Sequence, residues 1–421
     1  MMRIVQLTTY PLKSPRHGGQ LRCAAIRDGY RRIGIDVETI AVMHEAQYRA
    51  GEREKNDIAL PGASAFWNLE QPRFVDLQTG ACLAGEDRAY QAFKHILDRA
   101  QVDAIQLEQP WLYPAAKRYI DERKARGEAT PRIIYSSQNI EWKLKRDERG
   151  AHDAPNASHM IEVRKVEALE LDVAMASDLI VACTDEEAQE LKSMRNGSTD
   201  TPCAFVTASN AIAPFEADSA RLASLKQRHG LDRYPIFVGS AHPPNADGFW
   251  RMLEPSLAFL RPDEKIVVAG GVGHILCDHP ICRAWSGINE PRLLTLGEID
   301  RADLSALLHG AAVILLPITT GGGSNLKTAE AIYTGNPVLA TKHALRGYGD
   351  AAQWPTITIT ETADAFRRGL RALLDNPALA VRGDAYRKIR ERVTWDHALA
   401  PLIDAIRDFA QQHSVRATSD P

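Results

Sequence analysis

Residues Ala311 to Thr341 read AAVILLPITTGGGSNLKTAEAIYTGNPVLAT, and this stretch decides the fold. The apolar run Ala311 to Leu316 has the length and branched content of a buried parallel strand, and Pro317 stops it. Gly321, Gly322 and Gly323 then make a loop whose backbone can take positive φ and approach a ligand closely. Ser324 reads as the N-cap of a helix from Asn325 to Thr334, which Gly335 ends and Pro337 prevents from continuing. Val338 to Thr341 is the next strand.

Strand, glycine loop, helix and strand form a βαβ unit whose loop amides and helix dipole converge on one place suited to an anion. Lys327, in the first turn, adds a full positive charge there; Glu330 lies one turn on along the same face. A carboxylate would be repelled by a phosphate, so Glu330 suits neutral hydroxyls such as those of a ribose. The alternative is an ordinary glycine turn carrying a solvated Lys/Glu pair.

The run GGGSNLKTAEAIYTGNPVLAT resembles the donor-site signature of GT-B glycosyltransferases, particularly glycosyltransferase family 4. The resemblance implies an α/β chain of two facing Rossmann-like domains, each with a parallel sheet, and an interdomain cleft. It implies that Gly322, Gly323, Ser324, Asn325, Leu326 and Lys327 hold a nucleotide diphosphate and that Glu330 binds the ribose. Many relatives carry a further glutamate eight positions before Glu330; here that position is Gly322.

At 421 residues the chain suits two domains of ordinary size. Hydrophobic content of 44% and charged content of 25% are globular averages, and a net charge of −3 without a basic stripe argues against a nucleic-acid partner. The N-terminus begins with a strand-like Arg3 to Leu7 rather than a signal peptide, and no apolar run is long enough to cross a bilayer, so a cytoplasmic protein is expected. The six cysteines form no CxxC pair. His274, Cys277, His279 and Cys282 lie close together but match no standard zinc spacing, and no metal site is assigned.

A second strand, glycine turn, helix, strand unit stands at the N-terminus, with Arg3 to Thr8, then His17, Gly18 and Gly19, a helix from Gln20 to Ile33, and a strand from Val37. By resemblance Gly18 and Gly19 meet donor or acceptor; a tight turn with His17 exposed is the plainer reading. Met43 to Leu83 gives no clear periodicity, and an acceptor-facing insertion is one reading of it. Glu108 follows the short strand Ala104 to Leu107, where open α/β sheets place ligands, and is a candidate acceptor contact or a capping carboxylate. The helix Pro114 to Gly127 carries Lys117, Arg118, Arg123, Lys124 and Arg126, which suit weak peripheral contact with an anionic membrane face; Asp121, Glu122 and Glu128 dilute that charge, and a solvated face is the better reading.

Gln138, in Ser136 to Trp142, stands roughly where many relatives have a histidine; it can hydrogen-bond to an acceptor but cannot take a proton near neutral pH. The loop Gly239 to Asn245 resembles the family's first C-terminal-domain loop, often basic in relatives. Here Ser240, His242 and Asn245 would supply hydrogen bonds and Lys327 the charge. Gly297 to Ile299 would flank the base.

The resemblance thus implies an acceptor domain over 1–212, joined by a helix of about 395–415 that packs back, and a donor domain over 213–394. Lys327, Glu108 and Gln138 are the candidate catalytic positions. The expected substrates are a UDP- or GDP-linked sugar and a hydroxyl-bearing acceptor, with no cofactor, and with retention of configuration and no metal. A sugar-nucleotide 2-epimerase and a non-catalytic sugar-nucleotide or carbohydrate-binding module are the alternatives.

Overall fold

The computed structural model describes residues 2–68, 70–147, 157–195, 202–376, 381 and 383–419. The chain divides into two compact units, Met1–Ser209 with Leu399–Pro421, and Asn210–Ala398.

The first unit is built on β1 (Arg3–Thr8), β2 (Asp36–His44), β3 (Ile58–Leu60), β4 (Ala104–Leu107), β5 (Arg132–Ser136), β6 (Leu179–Ala182) and β7 (Ala204–Thr207). They form one parallel sheet in the order β3-β2-β1-β4-β5-β6-β7. The strands are mostly apolar and buried because helices cover both faces, as a parallel sheet requires, with a few polar residues such as Gln6 and Gln106 buried among them. Ile4, Val5, Leu7, Ile105, Leu107, Ile133 and Ile180 are all nearly inaccessible. At about 1.5–3 kcal/mol for each large aliphatic side chain removed from water, these strands supply much of the driving force for the layer.

The second unit repeats the design. Its strands are β8 (Pro235–Val238), β9 (Ile266–Ala269), β10 (Leu293–Gly297), β11 (Val313–Leu316), β12 (Val338–Ala340) and β13 (Ile357–Ile359), all parallel in the order β10-β9-β8-β11-β12-β13. Taken in their own sequence this is 3-2-1-4-5-6, the order of a dinucleotide-binding fold. The helix Pro243–Leu253 lies so close to the end of β11 that a Cβ on Gly248 would stand 2.4 Å from the carbonyl oxygen of Pro317. Glycine there lets helix and strand backbones approach.

Several local expectations are corrected. The helix after the glycine loop is Leu326–Thr334 with Asn325 as N-cap, one residue later than the Ser324 cap expected, because Ser324 is engaged elsewhere. The stretch 43–83 folds into β3, short 3-10 turns and the helix Val75–Gly85. The late segment Ala363 to Val393, which reads from sequence as helical throughout, holds two helices, Ala363–Asp375 and Asp384–Arg392, with residues 377–380 and 382 outside those described. Among the described residues no helix is long and apolar enough to cross a membrane.

Candidate functional site

In an open parallel sheet, ligands collect beyond the carboxyl ends of the strands, at the switch point where consecutive connections leave to opposite sides. In the second unit that point lies between β8 and β11, flanked by the loops Gly239 to Asn245 and Pro317 to Asn325. Both loops were singled out from sequence, and a hydrogen bond joins the first of them to the helix that follows the second. Lys327 Nζ donates to Asn245 Oδ1 at 2.6 Å, while Asn245 Nδ2 donates to the Ser240 carbonyl at 3.1 Å and lies 3.3 Å from Ser240 Oγ. His242 is exposed, at the N-cap of the helix Pro243–Leu253.

Lys327 projects from the first turn of its helix and stands 5.9 Å from the Phe237 ring. Burial pushes its ammonium down to about 8; Glu330 opposes that shift and Arg346 adds to it. A group so poised gains most from an arriving anion, which would return the lost charge stabilisation. One turn on, Glu330 is paired with Arg301, whose guanidinium lies 4.9 Å over the Phe215 ring.

The glycine loop has Gly321 at φ 106° and Gly323 at φ 61°, both in the region that favours glycine. Gly323 and Ser324 are buried, and Gly322, Asn325, Leu326 and Lys327 are half-buried. Ser324 accepts from Asn210 twice, through Oγ at 2.7 Å and its carbonyl at 2.6 Å. Tyr348 OH donates to the Asn325 carbonyl at 2.5 Å. Asn325 Nδ2 is buried without a hydrogen-bond partner, which leaves a donor at the helix start.

Arg346, His343 and Tyr348, from the loop His343 to Asp350 that the sequence places at the edge of a cleft, stand at the site together with Asn210 and Arg301, which sequence reasoning missed. The loop of Arg346 and His343 follows β12, at the carboxyl end of a parallel strand next to β11, which is where its cleft-edge reading puts it.

In the first unit, Gly18 and Gly19 open the helix Gly18–Arg32 after β1. His17 is its N-cap rather than a merely exposed side chain: its Nδ1 accepts from Gln20 N at 3.4 Å while Gln20 Oε1 accepts from His17 N at 3.4 Å. A Cβ on Gly19 would meet Tyr10 OH at 2.6 Å and Gln138 Oε1 at 2.8 Å. Gln138 Nε2 in turn donates to Tyr10 OH at 2.6 Å and Cys23 Sγ at 3.3 Å. Gly19 and Gln138 are therefore neighbours. Glu108 is not surface-facing: it is fully buried, and its Oε1 accepts from Gln6 Nε2 at 2.6 Å and Gln106 Nε2 at 2.5 Å.

A buried acid pair lies at the end of β5. Burial drives Glu141 up to about 7, against the pull of Lys145. Glu170, on the helix Ala157–Ala176, is raised to about 8 by burial and then by Glu141. Glu170 accepts from the Glu141 and Trp142 amides, both at 3.1 Å, and from Tyr135 OH at 2.8 Å. Among the described residues no group of three or more His, Cys, Asp or Glu could hold a metal. His279 instead lies 3.4 Å from Asp247 and stacks on Trp250.

Residues 232–376 match the family model of glycosyl transferases group 1. No curated protein matches by sequence. Solved structures match over nearly the whole chain. Sucrose-phosphate synthase from Thermosynechococcus elongatus has a TM-score of 0.67 at 13% identity, covering 100% of both chains. The catalytic domain of starch synthase IV from Arabidopsis thaliana, bound to ADP and acarbose, has 0.63 at 15%, covering 98% of this chain and 99% of that one. HepE from Anabaena, in complex with UDP, has 0.60 at 12%, covering 97% and 100%. The likeness first seen in the glycine loop and its helix is borne out: residues 232–376 resemble glycosyl transferases group 1, and the chain has the GT-B fold.

Proposed function

We propose that this protein is a glycosyltransferase that takes its sugar from a nucleoside-diphosphate donor. The observation that carries the reading is the meeting, at the switch point of the second sheet, of the glycine loop, the start of the helix Leu326–Thr334 and Lys327 held by Asn245. The diphosphate binds the loop amides and Lys327, and Glu330 accepts from the ribose hydroxyls. UDP or GDP is the nucleotide part.

In the reaction the bond between the anomeric carbon and the phosphate oxygen breaks and a bond from an acceptor hydroxyl oxygen forms. The acceptor's proton passes to the departing diphosphate. Lys327 and the loop amides are fixed where negative charge grows on that leaving group, so they favour the transition state over the ground state. Configuration is retained, with no metal needed for the charge. Gly18, Gly19 and Gln138 belong to the acceptor side, and Glu108, buried against Gln6 and Gln106, has no direct part in the reaction. Gly322, where many relatives have a carboxylate, favours the second reading, a non-catalytic sugar-nucleotide-binding module.

The test is thermal stabilisation of wild type and Lys327→Ala by UDP, GDP, TDP, ADP and CMP. One nucleotide should raise the melting temperature of wild type alone, by several degrees at about a hundred times its Kd. An equal response from Lys327→Ala sinks the assignment. Turnover with that nucleotide's sugar then decides between readings: a transferase needs an acceptor, an epimerase makes an isomer without one, and a binding module does neither.

A further inference from the structure

The first loop of the second unit, Gly239 to Asn245, contains no Lys or Arg, and Lys327 is a cation weakened by burial. A diphosphate needs more than that. The 3-10 turn Lys342–Leu345 and the residue after it supply side chains that grip the glycine loop from its far side. Arg346 donates through one guanidinium nitrogen to the Gly322 carbonyl at 2.6 Å and through the other to the His343 carbonyl at 2.7 Å. His343 Nε2 lies 3.1 Å from the Gly321 carbonyl. A carbonyl only accepts, so the ring carries its proton on Nε2. Burial, reinforced by Arg346, holds His343 below the usual imidazole value, which keeps the ring neutral with that one proton.

Two consecutive carbonyls, Gly321 and Gly322, are thus pulled toward the same pair of side chains. In a trans peptide the carbonyl of one residue and the N–H of the next point opposite ways. Gripping these two carbonyls therefore turns the Gly322 and Gly323 amides away from the clamp. Successive amides aimed together, one at a left-handed residue such as Gly323, make a concave anion nest. The guanidinium also stands 3.4 Å from where a Cβ on Gly321 would project, so its charge lies directly against the loop.

We propose that Arg346, with His343, is the positioning pair that sets the Gly321–Gly323 loop in its diphosphate-binding form and that Arg346 supplies the site's second positive charge. The proposal rests on the reading of this loop as the donor site. Arg346 acts through the loop carbonyls and its field, and takes no proton.

The experiment is calorimetric titration of wild type, Lys327→Ala, Arg346→Met and Arg346→Lys with UDP, GDP and ADP, with the corresponding nucleosides, and with inorganic pyrophosphate. Arg346→Met should weaken the preferred nucleoside diphosphate and pyrophosphate by about tenfold or more, the scale of a lost charge-assisted hydrogen bond, and leave nucleoside affinity within about twofold. Arg346→Lys, which keeps the charge but not the planar fork, should fall between wild type and Arg346→Met. Should Arg346→Met fail to fold, the lysine variant carries the test, with an expected loss of about threefold or more on the diphosphate only. Affinity within about twofold of wild type, or equal loss of nucleoside and diphosphate, overturns the proposal. If Lys327→Ala loses binding and Arg346→Met keeps it, only this proposal falls; if wild type binds no nucleotide, the donor-site reading falls and takes it along.

Discussion

The two units hold the same device, a glycine turn leading into a helix at the switch point of a parallel sheet, and equip it differently. In the first, the helix Gly18–Arg32 is closed on itself: His17 and Gln20 cap one another, and Gln20 Oε1 also accepts from Arg16 N at 2.8 Å. Arg22, one turn in, is buried and donates to the Ala208 carbonyl at 2.6 Å, so its charge serves the interior. Around Gly19 stand the neutral groups of Tyr10, Cys23 and Gln138. In the second, the N-cap Asn325 makes no capping bond with its side chain, and Lys327 and Arg346 both stand at the loop. A glycine turn before a helix is therefore a matter of chain path. On the proposed reading, the cap residue and the cations decide whether it receives an anion.

The largest test of that contrast is Lys327→Ala. It should weaken the nucleoside diphosphate by roughly a hundredfold, about 3 kcal/mol for a charged hydrogen-bonding group lost from a half-buried site. Titration calorimetry reads it directly, and a loss under about fivefold would make the two turns alike after all. Next comes pH. With Lys327 held near 8 in the free protein and higher when an anion is bound, affinity is full below pH 8 and falls by up to about tenfold per unit above it. Kd measured from pH 7 to 9.5 should bend near 8 for wild type and not for Lys327→Ala.

A smaller effect distinguishes the first turn. Gln20→Ala removes one half of the capping box and should cost about 1 kcal/mol of stability while leaving the nucleotide Kd unchanged. A changed Kd would show that this turn, too, serves the nucleotide. The acid pair of the first unit gives a signature with no counterpart among the described residues of the second. Glu141 and Glu170 hold protons more tightly folded than unfolded, so stability is full near pH 4.5 and is lost as pH rises through 7 and 8. Glu141→Gln should flatten the fall in melting temperature between pH 5 and 8, and an unchanged slope would place the titration elsewhere.

Much of the second unit could be read directly. The run Ala311 to Leu316 holds β11 from Val313 onward, Gly335 ended the helix in the left-handed region at φ 74°, and Val338 to Ala340 formed β12, because buried strands and glycine stops leave local signals. What escaped notice depends on contacts between distant residues. Ser324 looked like a cap, yet its hydroxyl is taken by Asn210, more than a hundred residues away. The loop His343 to Asp350 reads as the edge of a cleft, but nothing nearby in sequence says that the fork of Arg346 spans two carbonyls. Glu108 sat at the right strand end, but which way a side chain turns there depends on Gln6 and Gln106 beside it. The 43–83 stretch resisted because a three-residue strand and 3-10 turns carry no periodicity to read.

The return of the chain to its first unit sets a timetable for folding. The helix Ala400–Ser419 lies against that unit, with Ile403 Cδ1 3.2 Å from where a Cβ on Gly29 would stand and Arg132 over the Phe409 ring at 3.3 Å. The intervening unit is tied at its own ends: Ile212 N donates to the Val393 carbonyl at 3.0 Å and Trp395 N to the Ile212 carbonyl at 3.1 Å. On the ribosome, the unit made second can therefore close before the unit begun first receives its last helix. During that interval the earlier unit waits with an apolar face open, and it is the part that a chaperone would meet.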